Sequence, residues 1–173
     1  MQNTSTFPTR ILLAIDDSEE AALAAQKAVA LANGTDSELH VVHVGQLPNR
    51  FMEDPDILGF NRKLYDEIER ESLEVLWNLT WQVKATGGIV AGAHLRMGVV
   101  AEEVVDLAKD LEADLILMGS RAHGGVRRAI EGSISDFVVR HAHCPVMIVR
   151  TRKGEEHRGF WRNIFSSGST NSG

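Results

Sequence analysis

The stretch RILLAIDDSEEAALAAQKAVALANG, residues 10–34, decides the fold. Arg10–Ile15 holds a short, continuous apolar run, the pattern of a strand buried on both faces of a parallel sheet. It breaks at Asp16-Asp17-Ser18, where Asp17 or Ser18 can accept a hydrogen bond from the first free amides of a helix, and Asp17 with Glu20 has capping-box spacing. Ala21, Ala25, Ala28 and Ala32, with Leu23, Val29 and Leu31, form a small-residue stripe that lets the helix lie close on a sheet, and Asn33-Gly34 is the expected stop.

The same alternation repeats outward from this unit. Leu39–Val44 (LHVVHV) is a second apolar strand, followed by a long loop over Gly45–Gly59 that carries two prolines and no period. From Asn61 to Lys84, Tyr65, Ile68, Val75, Leu76, Leu79 and Val83 recur at three- and four-residue steps, which predicts the longest helix. Ile89–Arg96 is a third strand, Val100, Val104, Leu107 and Leu111 mark a third helix, and Asp114–Met118 is a fourth strand. A helix with Ile134, Phe137, Val138 and His141 on one side and a fifth strand, Val146–Val149, complete the series. The order β-α-β-α-β-α-β-α-β with strands apolar throughout implies an α/β fold: a five-stranded parallel sheet, doubly wound in the order 3-2-1-4-5, with helices on both faces. Residues 1–8 read as an N-terminal extension, 9–150 as one domain, and 151–173, Ser/Gly-rich at the end, as a partly disordered tail.

Composition narrows the function classes. The 173 residues carry 18 Lys and Arg against 24 Asp and Glu, a formal net charge of −6 that argues against a general nucleic-acid binder. The single cysteine, Cys144, cannot form an internal disulfide and fits a reducing cytoplasm. No apolar run approaches the ~20 residues that cross a bilayer, and residues 1–10 lack the apolar centre of a signal peptide, so a cytoplasmic protein without a membrane span is expected.

Open parallel sheets bind ligands beyond the carboxyl ends of their strands, where the winding reverses. That singles out Ala14-Ile15-Asp16 after the first strand and Met118-Gly119-Ser120 after the fourth, neighbours in a doubly wound sheet. The second turn opens a loop with Gly119, Gly124, Gly125 and Gly132 interleaved with Arg121, Arg127 and Arg128. Glycines let backbone approach an anion, and helix N-terminal amides add donors and a favourable dipole. Ser133, just before the amphipathic run from Ile134, is placed to donate to a phosphate. Neither a GxxxxGK[ST] loop nor a GxGxxG fingerprint after the first strand occurs. Plainer readings stand beside these: Asp16 and Asp17 as caps, the arginines as solvated charges, and His141 and His143 as imidazoles at a helix C-terminus rather than metal ligands. Cys144 is read as a small apolar residue rather than a nucleophile. Phe160, Trp161, Ile164 and Phe165 can form one apolar side of a short helix in the tail with Arg158 and Arg162 opposite, suited to a partner protein or a membrane surface, to packing on the chain's own dimer, or to plain disorder.

AIDDSE near the start and MGSRAHGGVRRAIEGSISDFVVRHAHCPVMIVR near the end resemble the universal stress protein family, over about Thr9 to Arg150. ATP-binding members of that family carry a G-x2-G-x9-G-[ST] loop. Here Gly119, the nine-residue spacer His123–Glu131 and the pair Gly132-Ser133 fit it, while Ala122 replaces the second glycine with a methyl group that is either tolerated or blocks the backbone's approach to phosphate. The resemblance implies a Rossmann-like fold of the adenine nucleotide alpha hydrolase kind, adenine and ribose contacts from Ala14, Asp16, Val44 and Met118, and phosphate contacts from Gly119, Ala122, Gly132, Ser133 and Ile134. It further implies ATP, with Mg²⁺, as ligand, a homodimer pairing Val146–Val149 with its copy, and a nucleotide-responsive regulatory role in stress tolerance. No Ser-His-Asp set, carboxylate pair or metal-ligand cluster is apparent in the sequence, so no dedicated enzyme is expected and ATP hydrolysis should be slow at most. The alternative is a dimeric interaction module in which Ala122 has closed the nucleotide site and the dimer surface or tail recruits a partner protein.

Overall fold

The computed structural model describes residues 9–47, 62–120 and 134–150. In chain order they form β1 (Arg10–Ala14), α1 (Glu19–Thr35), β2 (Glu38–Gly45), α2 (Arg62–Ala85), β3 (Val90–Met97), α3 (Val100–Asp110), β4 (Leu115–Gly119), α4 (Ile134–His141) and β5 (Val146–Val149). The sheet has five strands in the order β3-β2-β1-β4-β5, and every pairing is parallel. The expected fold class is therefore what the structure shows.

β1 is central, and Ile11, Leu12 and Leu13 have no exposed surface. Alternate side chains leave opposite faces of a strand, so Ile11 and Leu13 join Ala25, Ala28 and Val29 of α1 and Leu76, Leu79 and Val83 of α2 in one core. Leu12 joins Val104 and Leu107 of α3 and Val138 of α4 in the other. The alanine stripe of α1 is buried as the sequence predicts.

One open alternative is decided and one local reading changes. Ser18, not Asp17, caps α1: its Oγ accepts from the Ala21 amide at 3.1 Å, and the Ser18 amide donates to Asp16 Oδ1 at 3.0 Å, so the turn is built from Asp16 and Ser18. The helix also runs through Asn33-Gly34 to Thr35 and stops at Asp36, whose φ of 56° is left-handed. Thr35 Oγ1 donates to the Leu31 carbonyl and Asn33 to the Gly87 carbonyl, contacts that favour carrying the helix one residue past Gly34 over a break there.

Where β2 meets β3 the register shifts between Leu39 and His40, leaving Ala91 as the extra residue of a bulge. The bulge brings His40 Nδ1 within 3.0 Å of His94 Nε2. Gly92 makes room for both rings, since a Cβ there would lie 2.7 Å from His40 Nδ1 and 2.8 Å from His94 Nε2. One ring donates and the other accepts, so at least one imidazole of the pair is neutral. Burial, then the His40 ring and the Arg96 guanidinium, hold the His94 pKa below its ordinary value of 6.5. A depressed folded-state pKa means that the unfolded chain takes up the proton first, so this stabilisation is complete above about pH 6.5 and is lost as the pH falls toward the folded-state value. Thermal unfolding monitored by circular dichroism should show a midpoint that falls between pH 7 and pH 5, by at most about 2–4 °C because solvent screens a partly exposed ring. His94→Gln should flatten that decline, and an unchanged slope in the variant would remove His94 from the account.

Candidate functional site

The strand ends, rather than any inserted element, create the site. At the carboxyl edge of the sheet, between the points where β1 and β4 send their helices to opposite faces, lies a cavity of about 430 Å³. Its floor is Ala14, Ile15 and Asp16 at the end of β1 and Met118-Gly119 at the end of β4. Val42, Val44 and Gly45 of β2 form one wall, Val100 and Val104 of α3 another, and Ile134 opens α4 at the rim. The location is the switch point expected of a doubly wound sheet.

Six of the sequence-derived candidates, Ala14, Asp16, Val44, Met118, Gly119 and Ile134, line this one cavity. Ala122, Gly132 and Ser133 lie outside the described residues, as do Arg121, His123, Gly124, Gly125, Arg127 and Arg128. Sequence reasoning missed the part of α2: Ile68, Glu71, Ser72 and Val75 also line the cavity, at steps of three, one and three that keep them on one helix face. The signal was present in the three- and four-residue spacing that includes Ile68 and Val75, but that face reads as ordinary core until the register of α2 on the sheet is known. His43 was missed too. Its Nδ1 lies 3.1 Å from the Ile15 carbonyl, and a carbonyl only accepts, so that nitrogen carries the proton and holds the ring against the turn after β1.

Close approach of backbone shapes the walls. A Cβ on Gly119 would lie 2.8 Å from Glu20 Cβ and 2.9 Å from the Ala21 amide nitrogen, so this glycine is required for α1 to begin directly over the end of β4. At Gly45 a Cβ would collide with Ser72 Oγ and lie 2.6 Å from Met97 Sδ, so a bare backbone there lets α2 and β3 close over β2.

Electrostatically the lining is one-sided. Asp16, Asp17 and Glu71 contribute carboxylates, and among the described residues the cavity has neither lysine nor arginine. Positive potential comes instead from helix N-termini: α3 starts after Val99, which offers no side-chain cap, and α4 starts at Ile134 on the rim. Among the described residues no group of three or more His, Cys, Asp or Glu side chains is arranged to hold a metal ion, and no helix is long and apolar enough to cross a membrane. Cys144 is half-buried and burial raises its thiol pKa, the opposite of an activated nucleophile.

These features define a doubly wound α/β protein with a ligand-sized cavity at its topological switch point. The universal stress protein family model matches residues 8–150, and the chain belongs to that family. It is 32% identical over 148 residues to the universal stress protein YxiE of Bacillus subtilis, covering 82% of this chain and 98% of that one. In fold it is similar to the universal stress protein UspA of Lactobacillus plantarum, with a TM-score of 0.68 at 24% identity over 84% of this chain and all of that one. It is also similar to a universal stress protein in complex with cAMP (TM-score 0.57, 20% identity, 85% and 100% covered) and to an Arabidopsis thaliana family member with AMP bound (TM-score 0.57, 19% identity, 84% and 93% covered).

The packing at Gly119 makes a direct prediction. Gly119→Val must displace the first turn of α1 and should cost about 1–3 kcal/mol, the usual penalty of overpacking, read as a lower midpoint in urea unfolding. A variant as stable as the parent would show that α1 does not depend on this contact.

Proposed function

We propose that this protein binds ATP, with Mg²⁺, in the switch-point cavity and acts as a nucleotide-responsive module in stress tolerance rather than as a dedicated enzyme. The observation that carries the reading is the gathering of Ala14, Asp16, Val44, Met118, Gly119 and Ile134 around one cavity, because these come from three separate parts of the sequence and were singled out together by the family resemblance. The cAMP and AMP bound by the two structural relatives support an adenine nucleotide as ligand class.

Each end of the cavity suits a different part of such a ligand. Val44, Val100, Val104 and Met118 offer apolar surface to a base, and Asp16, at the strand end, offers acceptor oxygens to ribose hydroxyls. The polyphosphate would face the glycine loop and the N-terminus of α4, with Gly119, Ala122, Gly132, Ser133 and Ile134 contributing. Three carboxylates at the cavity make a bare triphosphate unfavourable there. A divalent cation that neutralises phosphate charge, together with the loop arginines, removes that conflict, which is the physical case for Mg²⁺. Within this proposal β5, at the sheet edge with Met147 43% exposed, pairs with its copy in a homodimer, which covers an apolar edge.

The test begins with the freshly purified protein, denatured and chromatographed for released nucleotide, and continues with calorimetric titration of the emptied protein with Mg-ATP. One saturable site per chain is expected. Asp16→Ala should weaken it about ten-fold, as loss of a charged hydrogen-bond acceptor costs ~1.5 kcal/mol or more. Gly132→Asp, which puts a carboxylate against the phosphates, should abolish it. Absence of binding heat at several temperatures would reject the nucleotide reading in favour of the interaction module, and a gain of binding in Ala122→Gly would place the fault at that methyl group.

A further inference from the structure

α2 presents a face that neither the core nor the cavity uses. Leu73, Trp77 and Trp81 follow one another at steps of four, and they are 41%, 62% and 62% exposed. At 1.5 Å of rise per residue they form a stripe about 12 Å long on one side of the helix. Leu76, Leu79 and Val83 between them are buried against the sheet, so the tryptophans are not needed to hold α2 in place. Large aromatic side chains gathered in water mark a surface that has an occupant.

The chain contains a segment of matching chemistry. Beyond β5, residues 151–173 carry Phe160, Trp161, Ile164 and Phe165 within six positions, and the three tryptophans of the whole protein are those of the stripe and Trp161. The charges are complementary as well: residues 151–173 hold four basic residues against two acidic ones, whereas the remaining chain holds 14 against 22. On α2 itself Asp66, Glu67, Glu69, Glu71 and Glu74 outnumber Arg62, Lys63, Arg70 and Lys84. Arg62 and Arg70 are already engaged by Asp66 and Glu74 through exposed i,i+4 pairs. Reach is sufficient. β5 stands at one edge of the sheet, and α2 packs over β2 and β3 at the other, about 15–20 Å away at roughly 4.8 Å per strand. The nine residues Thr151–Gly159 can span up to ~30 Å before the first aromatic.

We infer that the segment Phe160–Phe165 docks in cis on the Leu73–Trp77–Trp81 stripe of α2, held by apolar contact and steered by its basic residues toward an acidic body. Tethering raises the local concentration of the segment to the millimolar range, so even a weak contact is populated. α2 also lines the cavity through Ile68, Glu71, Ser72 and Val75, so the docked segment would brace the helix that forms one wall of the ligand site.

The three tryptophans make the inference directly measurable in the full-length chain. In Trp161→Phe, only Trp77 and Trp81 emit; in a comparison protein with Phe160, Trp161, Ile164 and Phe165 all changed to serine, the docking surface of the segment is gone. The serine variant should show red-shifted emission and a roughly two-fold rise in acrylamide quenching as the indoles return to water. The reciprocal variant, Trp77→Gln with Trp81→Gln, leaves Trp161 alone, and its emission should lie to the red of that in the Trp77→Phe, Trp81→Phe protein. All substituted α2 positions are exposed, so folding is preserved in the comparison. Equal quenching in the first pair would overturn the inference. Protection that appears only as the protein is concentrated, together with a larger mass by light scattering, would also overturn it, because a second copy would then be the occupant.

Discussion

The structure depends on the double-sided burial of β1. A strand whose Ile11, Leu12 and Leu13 all lose contact with water must have partners along both edges and cover on both faces, and each such side chain contributes about 1.5–3 kcal/mol when buried. β2 and β4 supply the edges, α1 and α2 one face, and α3 and α4 the other. At the amino end the strand is anchored by Asp114, whose Oδ2 accepts from the Thr9 and Arg10 amides at 2.9 and 3.0 Å; the Thr9 hydroxyl, foremost, and these amides hold its pKa below the ordinary carboxylate value. Both β1 and β4 are thereby set in register from the same end, and their carboxyl ends finish side by side.

The cavity follows from that arrangement. The connections that follow β1 and β4 leave toward opposite faces, so among the described residues no element fills the space above their ends. What lines it is decided by how closely the surrounding helices approach, and Gly45 and Gly119 set that approach by allowing α2 and α1 to come in over bare backbone. The result is apolar along the sheet and acidic at the turn after β1, with helix N-termini facing across it. Among the described residues no lysine or arginine lines the cavity, so favourable interaction with an anion there comes from the amides at the helix N-termini.

α2 has three duties on one cylinder. One face packs on β2 and β3, a second lines the cavity near its amino end, and a third carries the exposed tryptophans. Helical periodicity read from sequence recognises only the first, because the other two depend on what stands opposite.

Much of the architecture was legible because it rests on local patterns. Continuous apolar strands alternating with amphipathic helices state a parallel doubly wound sheet, and the residues around Asp16 and Gly119 state where its switch-point cavity lies; the sequence by itself determined the family, the topology and the cavity floor. Tertiary structure alone decided that Ser18 rather than Asp17 caps α1 and that Asp36 rather than Gly34 ends it, because competing side chains a residue or two apart differ only in the geometry of the turn they must complete. It alone set His40 against His94 through a bulge and a glycine 52 positions further along the chain from His40, brought His43 and Glu71 to the cavity, and made Gly119 a matter of helix packing. The histidine pair, the cavity lining and the Gly119 packing are contacts between segments far apart in sequence, and such contacts follow from register and close packing, which no local pattern encodes.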